Sequence, residues 1–200
     1  MANYSYLALG DSYTIGEQVP FAENFPNQTV QLLRRSGFSF YAAEIIAKTG
    51  WTTDELSNAI ENTVTLENYD IVSLLIGVNN QYRGRITNAF KVEFEQALQK
   101  AIQFAGHRPS RVFVLGIPDW GVTPFAAGRN DKQVAVEIDA FNDICETAAK
   151  EFQTNFISIT GQQRVDGNKE EFLAPDGLHP SGKEYEKWAI KLAGAVLKEL

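Results

Sequence analysis

Gly10, Asp11 and Ser12 stand together where the first apolar run of the chain ends, and Asp176 and His179 stand three residues apart near its C-terminus, in PDGLHPS. These residue types can do chemistry. A serine hydroxyl becomes a nucleophile when a base takes its proton, and an imidazole serves as that base when a carboxylate holds its other nitrogen. With Asp176 accepting the Nδ1 proton of His179, Nε2 is left for Ser12. The loop at Ser12 also admits a second reading, a flavodoxin-like phosphate- or nucleotide-binding module whose backbone N–H groups cradle an anion at a helix N-terminus. Asp11 and Glu17 argue against it, because carboxylates inside the cradle repel the anion. That reading also leaves Asp176 and His179 without a task.

Other reactive side chains are few. The chain has two histidines and one cysteine, which excludes an internal disulfide, a thiolate zinc site and a histidine-rich metal site. His107, in AGHRPS beside Arg108, reads as a solvated or helix-end residue. Cys145, between Ile144 and Ala148 on an amphipathic pattern, reads as a small core hydrophobe.

The elements that must position these residues are legible as alternating patterns. Apolar, strand-like runs cover 4–10, 38–48, 70–77, 111–117 and 155–159. Helical periodicity covers 23–37, 52–64, 90–104 and 134–152, and a last helix starts at Ser181 with Glu184 three residues on. Thr52 and Glu55 have capping-box spacing. Five strands alternating with helices predict an α/β fold: three layers, α/β/α, with a flavodoxin-like five-stranded parallel sheet in the order 2-1-3-4-5. The second run carries Glu44 and Lys48 and fits a sheet edge, whereas the third and fourth are continuously apolar, as covered central strands are. Residues 1–200 read as one domain. In such sheets ligands bind beyond the carboxyl ends of the strands. That is where this reading puts Ser12, Gly50, Asn79, Asn80 and Trp120.

Composition narrows the partners. A formal net charge of -7 and a sequence pI near 4.9 disfavour nucleic acid, since phosphate binding needs clustered Lys and Arg. No apolar run approaches a membrane span, and no basic segment longer than Arg34-Arg35 offers itself to an anionic surface. The opening MANYSYLAL lacks the pattern of a signal peptide, so a cytoplasmic location is expected. What remains is a small-molecule partner.

The motifs themselves resemble those of the SGNH (GDSL-type) hydrolase family, in that family's order along the whole chain. GDSYT resembles its first block and implies Ser12 as nucleophile. KTGWTT resembles the second and implies Gly50 in the oxyanion hole through its backbone N–H. IGVNNQ resembles the third and implies the Asn79 side-chain amide in the same hole. DGLH resembles the fifth and implies Asp176 and His179 as the rest of the triad. Asn80 departs from the pattern, where the family usually has Asp. The α/β-hydrolases are disfavoured independently, because no G-x-S-x-G elbow occurs.

The resemblance implies a serine esterase that hydrolyses carboxylic acyl esters through an acyl-enzyme, with Ser12, Gly50 and Asn79 stabilising the oxyanion and no metal or cofactor. Trp51, Tyr82 and Trp120 follow strand ends and are candidates for the substrate-binding rim. Arg83 and Arg85 are candidates to meet an anionic group. No long insertion builds a lid, which favours short-chain or polar-headed esters. A lysophospholipase or acyl thioesterase of the same family is the alternative.

Overall fold

A computed structural model describes residues 3–200. Strands β1 (Tyr6–Asp11), β2 (Glu44–Lys48), β3 (Ile71–Leu75), β4 (Val112–Leu115) and β5 (Asn155–Ile157) form one parallel sheet in the order β2-β1-β3-β4-β5. This is the order the alternating patterns predict. Leu9 pairs with Ile46 on one side and Leu74 on the other, which makes β1 an inner strand. Every residue of β1 and β3 is buried, whereas Glu44 and Lys48 at the ends of β2 are exposed, as an edge strand allows.

The helices are α1 (Ser12–Ile15), α2 (Phe25–Arg35), α3 (Thr53–Glu61), α4 (Val78–Tyr82), α5 (Thr87–Phe104), α6 (Asp131–Glu151), α7 (Thr160–Asp166) and α8 (Gly182–Glu199). Helix α2 packs on α8, while α3 packs on α5 and α5 on α6. Right-handed crossovers place the first pair on one face of the sheet and the other three on the opposite face. Phe25, Tyr185 and Trp188 fill the first layer of the core, and Phe90, Phe94 and Phe141 the second. Among the described residues no helix is long and apolar enough to cross a membrane.

The strands are shorter than their apolar runs, and around β2 and β4 side chains take up the neighbouring backbone groups. Both Nε and an NH2 group of Arg34 donate to the Phe40 carbonyl, so the stretch before Glu44 makes only one isolated bridge, Tyr4 to Phe40. Beyond β4, Asn142 and Thr160 take over the backbone of Ile117. The capping box of α3 forms as spaced, with Thr52 and Glu55 serving each other's backbone. At α8 no such box forms. Ser181 Oγ donates to the Glu171 carbonyl, and Glu184 turns inward to accept from Trp188 Nε1 at 3.0 Å.

Candidate active site

The site begins at the carboxyl end of β1. Gly10 lies within the strand and is required there by close approach: a Cβ would collide with Thr14 Oγ1 and the Leu75 carbonyl oxygen. Asp11 then caps α1, its Oδ1 accepting the Tyr13 N–H at 3.0 Å. Burial pushes its carboxyl up to about 7 against the lowering effect of backbone hydrogen bonds, and Oδ2 has no hydrogen-bond partner among the described residues. Gly16, at φ 75°, closes the single turn by donating to the Ser12 carbonyl. Ser12 is therefore the first residue of a helix only four residues long. Its own N–H has no intrahelical acceptor and remains available.

His179 arrives from the loop before α8. That loop is folded on itself: Ala174 donates to the His179 carbonyl, Gly177 donates to that of Ala174, and Leu173 bridges Pro180. Asp176 Oδ1 accepts the N–H groups of Leu178 and His179, both at 3.0 Å, and Oδ2 lies 2.6 Å from His179 Nδ1. Partial burial opposes ionisation of Asp176, but the His179 ring and these two N–H groups outweigh it and hold the carboxyl below its ordinary value. An ionised carboxylate only accepts, so Nδ1 carries the proton and Nε2 is the acceptor. The Tyr13 ring packs 5.0 Å from the imidazole, with Trp188 behind it, and fixes the ring from its other side.

Ser12, Gly50, Asn79 and His179 line one pocket of about 170 Å³. Among the described residues no hydrogen bond yet joins Ser12 to His179. Such contacts commonly tighten only when substrate binds. Gly50 adopts φ 84° in the turn after β2, and Arg83 donates to its carbonyl at 2.6 Å. Asn79 Nδ2 donates to the Trp51 carbonyl at 3.0 Å, which orients the amide and leaves its second hydrogen for a ligand.

The three aromatic candidates separate here. Tyr82 and Trp120 line the pocket and meet edge to face at 5.2 Å. Trp120 is further held by Gln81, which accepts its Nε1–H at 2.7 Å and donates to Glu137. The Trp51 side chain is not brought into the pocket; the residue contributes its backbone carbonyl to Asn79. Phe125 completes the wall, and Arg129 lies over the Tyr82 and Trp120 rings. Nothing in the sequence pattern marks Phe125, which sits in a single 3-10 turn, Pro124–Ala126, between β4 and α6. Tyr13 also lines the pocket, and its place directly after Ser12 in the sequence is the signal for it.

The remaining candidates have other occupations. Arg83 pairs with Glu55 as well as the Gly50 carbonyl, and Arg85 pairs with Asp54 and Glu93. His107 is exposed in the turn after α5, at φ 57°, and outside the pocket. Cys145 is fully buried on α6, where burial pushes its thiol well up.

A sequence model of the GDSL-like Lipase/Acylhydrolase family matches residues 8–187, which spans β1 through the start of α8. The chain belongs to that family. No curated protein sequence matches it. Among solved structures it is similar to TesA, at 18% identity and a TM-score of 0.76, over 98% of this chain and 99% of the other. It is likewise similar to the lipase/acylhydrolase from Enterococcus faecalis, at 20% identity and TM-score 0.76, over 98% and 97%. An acetyl xylan esterase, AlAXEase, gives 18% identity and TM-score 0.75 over 96% and 99%. At these identities the likeness speaks to the fold. The family's stretch of chain contains every residue of the pocket just described.

Proposed function

We propose that the chain is a serine esterase that hydrolyses short-chain or polar-headed carboxylic acyl esters through an acyl-enzyme on Ser12. The observation that carries this reading is the Asp176–His179 pair, 2.6 Å apart, facing the pocket that Ser12 enters from β1. His179 Nε2 takes the Ser12 Oγ proton as Oγ attacks the ester carbonyl, and Asp176 stabilises the imidazolium that forms. The N–H groups of Ser12 and Gly50 and the free Asn79 amide hydrogen receive the oxyanion. As the tetrahedral intermediate collapses, His179 returns the proton to the departing alcohol oxygen. Water, deprotonated by the same nitrogen, then attacks the acyl-enzyme carbonyl. The carboxylic acid leaves and Ser12 regains its proton.

Asp11 disfavours the phosphate-module reading. Its carboxyl occupies the N-cap of α1, and a four-residue helix supplies little dipole for an anion. The test is covalent labelling. A p-nitrophenyl acyl ester should be hydrolysed by the wild-type chain and not by Ser12→Ala, and an organophosphonate should add one mass adduct that maps to Ser12. An adduct on another residue, or hydrolysis that survives Ser12→Ala, overturns the assignment.

A further inference from the structure

Beside the Ser12 N–H on α1, the proposed oxyanion hole draws on two separate elements, the turn before α3 that carries Gly50 and the start of α4 that carries Asn79. Their relative placement must hold to about half an ångström for both donors to reach one oxygen. The junction between them is a polar chain that is almost completely buried at its centre. Thr53 and Asn80 are both fully buried. Asn80 Oδ1 accepts the Thr53 N–H at 3.2 Å, and Asn80 Nδ2 donates to Thr53 Oγ1 at 2.7 Å.

That leaves the Thr53 hydroxyl proton to be placed, and it goes to Glu93 of α5. Glu93 Oε2 also lies 3.4 Å from Asn80 Nδ2 and 3.4 Å from Arg85 NH1. Arg85 in turn pairs with Asp54 at 2.7 Å, and its own backbone N–H donates to the Asn80 carbonyl. Proton donation therefore runs one way, from Asn80 to Thr53 to Glu93. Among the described residues, the only carboxylate bonded to both Thr53 Oγ1 and Asn80 Nδ2 belongs to α5, an element outside both halves of the hole.

We infer that Glu93 is a positioning residue of the oxyanion hole, supplying from α5 the negative charge that locks the Gly50 turn to the Asn79 helix in partnership with an uncharged Asn80. This rests on the Ser12 reading for its catalytic consequence but not for its geometry. An aspartate in place of Asn80 would put a second carboxylate oxygen where Nδ2 now stands, 3.4 Å from Glu93. Two carboxylates would then compete for one hydroxyl proton, and like charges at that distance resist ionising together. Removing the charge at position 93 restores the balance, because a glutamine amide there can donate to the carboxylate introduced at position 80.

The experiment is a double-mutant cycle with Asn80→Asp, Glu93→Gln and the pair, read in two ways. Contacting residues in one network couple by about 2-fold to more than 100-fold in an equilibrium or rate. On a p-nitrophenyl ester, Asn80→Asp should lower kcat about 10-fold with KM changed less than about 2-fold, Glu93→Gln should lower it about 3- to 10-fold, and the pair should recover to within about 3-fold of wild type. Melting temperatures should show the same sign of coupling and need no substrate, so they report on Glu93 even if Ser12 is not the nucleophile. Losses that simply multiply in kcat and add in Tm overturn the inference, as does an Asn80→Asp chain indistinguishable from wild type. Recovery of Tm without recovery of kcat assigns the junction to stability alone and also overturns it.

Discussion

Acyl-chain length offers the sharpest reading of the pocket. The volume is about 170 Å³, and a protein cavity of about 150 Å³ holds the six carbons of benzene. On that scale, the acyl-enzyme proposed at Ser12 would fit an acyl group of about six carbons, counting the carbonyl carbon. Each methylene that leaves water contributes about 0.8 kcal/mol, nearly fourfold in kcat/KM. Lengthening a p-nitrophenyl ester from C2 to C6 should therefore raise kcat/KM by up to about 200-fold, if every methylene is fully buried. Beyond that the gain ends. Tyr82 and Phe125 are 44% and 46% exposed, so a longer chain passes an open rim and stays hydrated. Steady-state kinetics across C2, C4, C6, C8 and C12 should peak at or below C6 and fall by C12. Trp120→Ala should flatten the profile by removing the wall, while Trp120→Phe should keep its slope although the bond to Gln81 is lost. A rate that climbs steadily to C12 refutes the reasoning and moves the assignment to a long-chain thioesterase or lysophospholipase.

Three further outcomes follow from the site's geometry. Asn79→Ala should lower kcat by about 10²–10³ with its melting curve little changed, as expected for one lost oxyanion donor; a loss under about fivefold removes Asn79 from the hole. Asp176→Asn should lower kcat by as much as about 10⁴, because the charge is gone and the imidazole is held in the wrong tautomer, with His107→Ala as the silent control. Asp11 concerns stability. Its folded-state carboxyl is raised to about 7 by burial, so between its ordinary value and 7 the folded chain binds more protons than the unfolded one. Its contribution to stability is then present at low pH and lost as pH rises towards 7. Asp11→Asn keeps the α1 cap and should narrow the difference in Tm between pH 5 and pH 8; an unchanged difference shows that Asp11 does not titrate in that window.

The alternation of the five strands with the five longer helices and the edge position of β2 were legible in the sequence, because binary apolar patterning is local and survives without tertiary knowledge, and the sheet order followed from the fold class which that alternation implies. So was the linkage of Asp176 to His179, whose three-residue spacing within one turn-rich loop brings their side chains together. The short helices α1, α4 and α7 were not legible. At four, five and seven residues they hold too few positions for a period to show. The late start of β2 and the early end of β4 were also hidden, since they depend on Arg34, Asn142 and Thr160 reaching backbone groups from elsewhere in the fold.

What the sequence alone determined is which chemical groups are available and at which strand ends they emerge. It also determined that a glycine stands at position 50, where a positive φ is adopted. Tertiary structure decided which of those groups meet. It turned Tyr82 and Trp120 into one wall and left the Trp51 ring outside. It occupied Arg83 and Arg85 with internal carboxylates and a carbonyl, and it put Glu93 against Asn80 across 13 residues. Those outcomes depend on helix packing angles and on which buried donor finds an acceptor. Side chains distant in sequence settle such questions only when the backbone brings them within about 3 Å of one another.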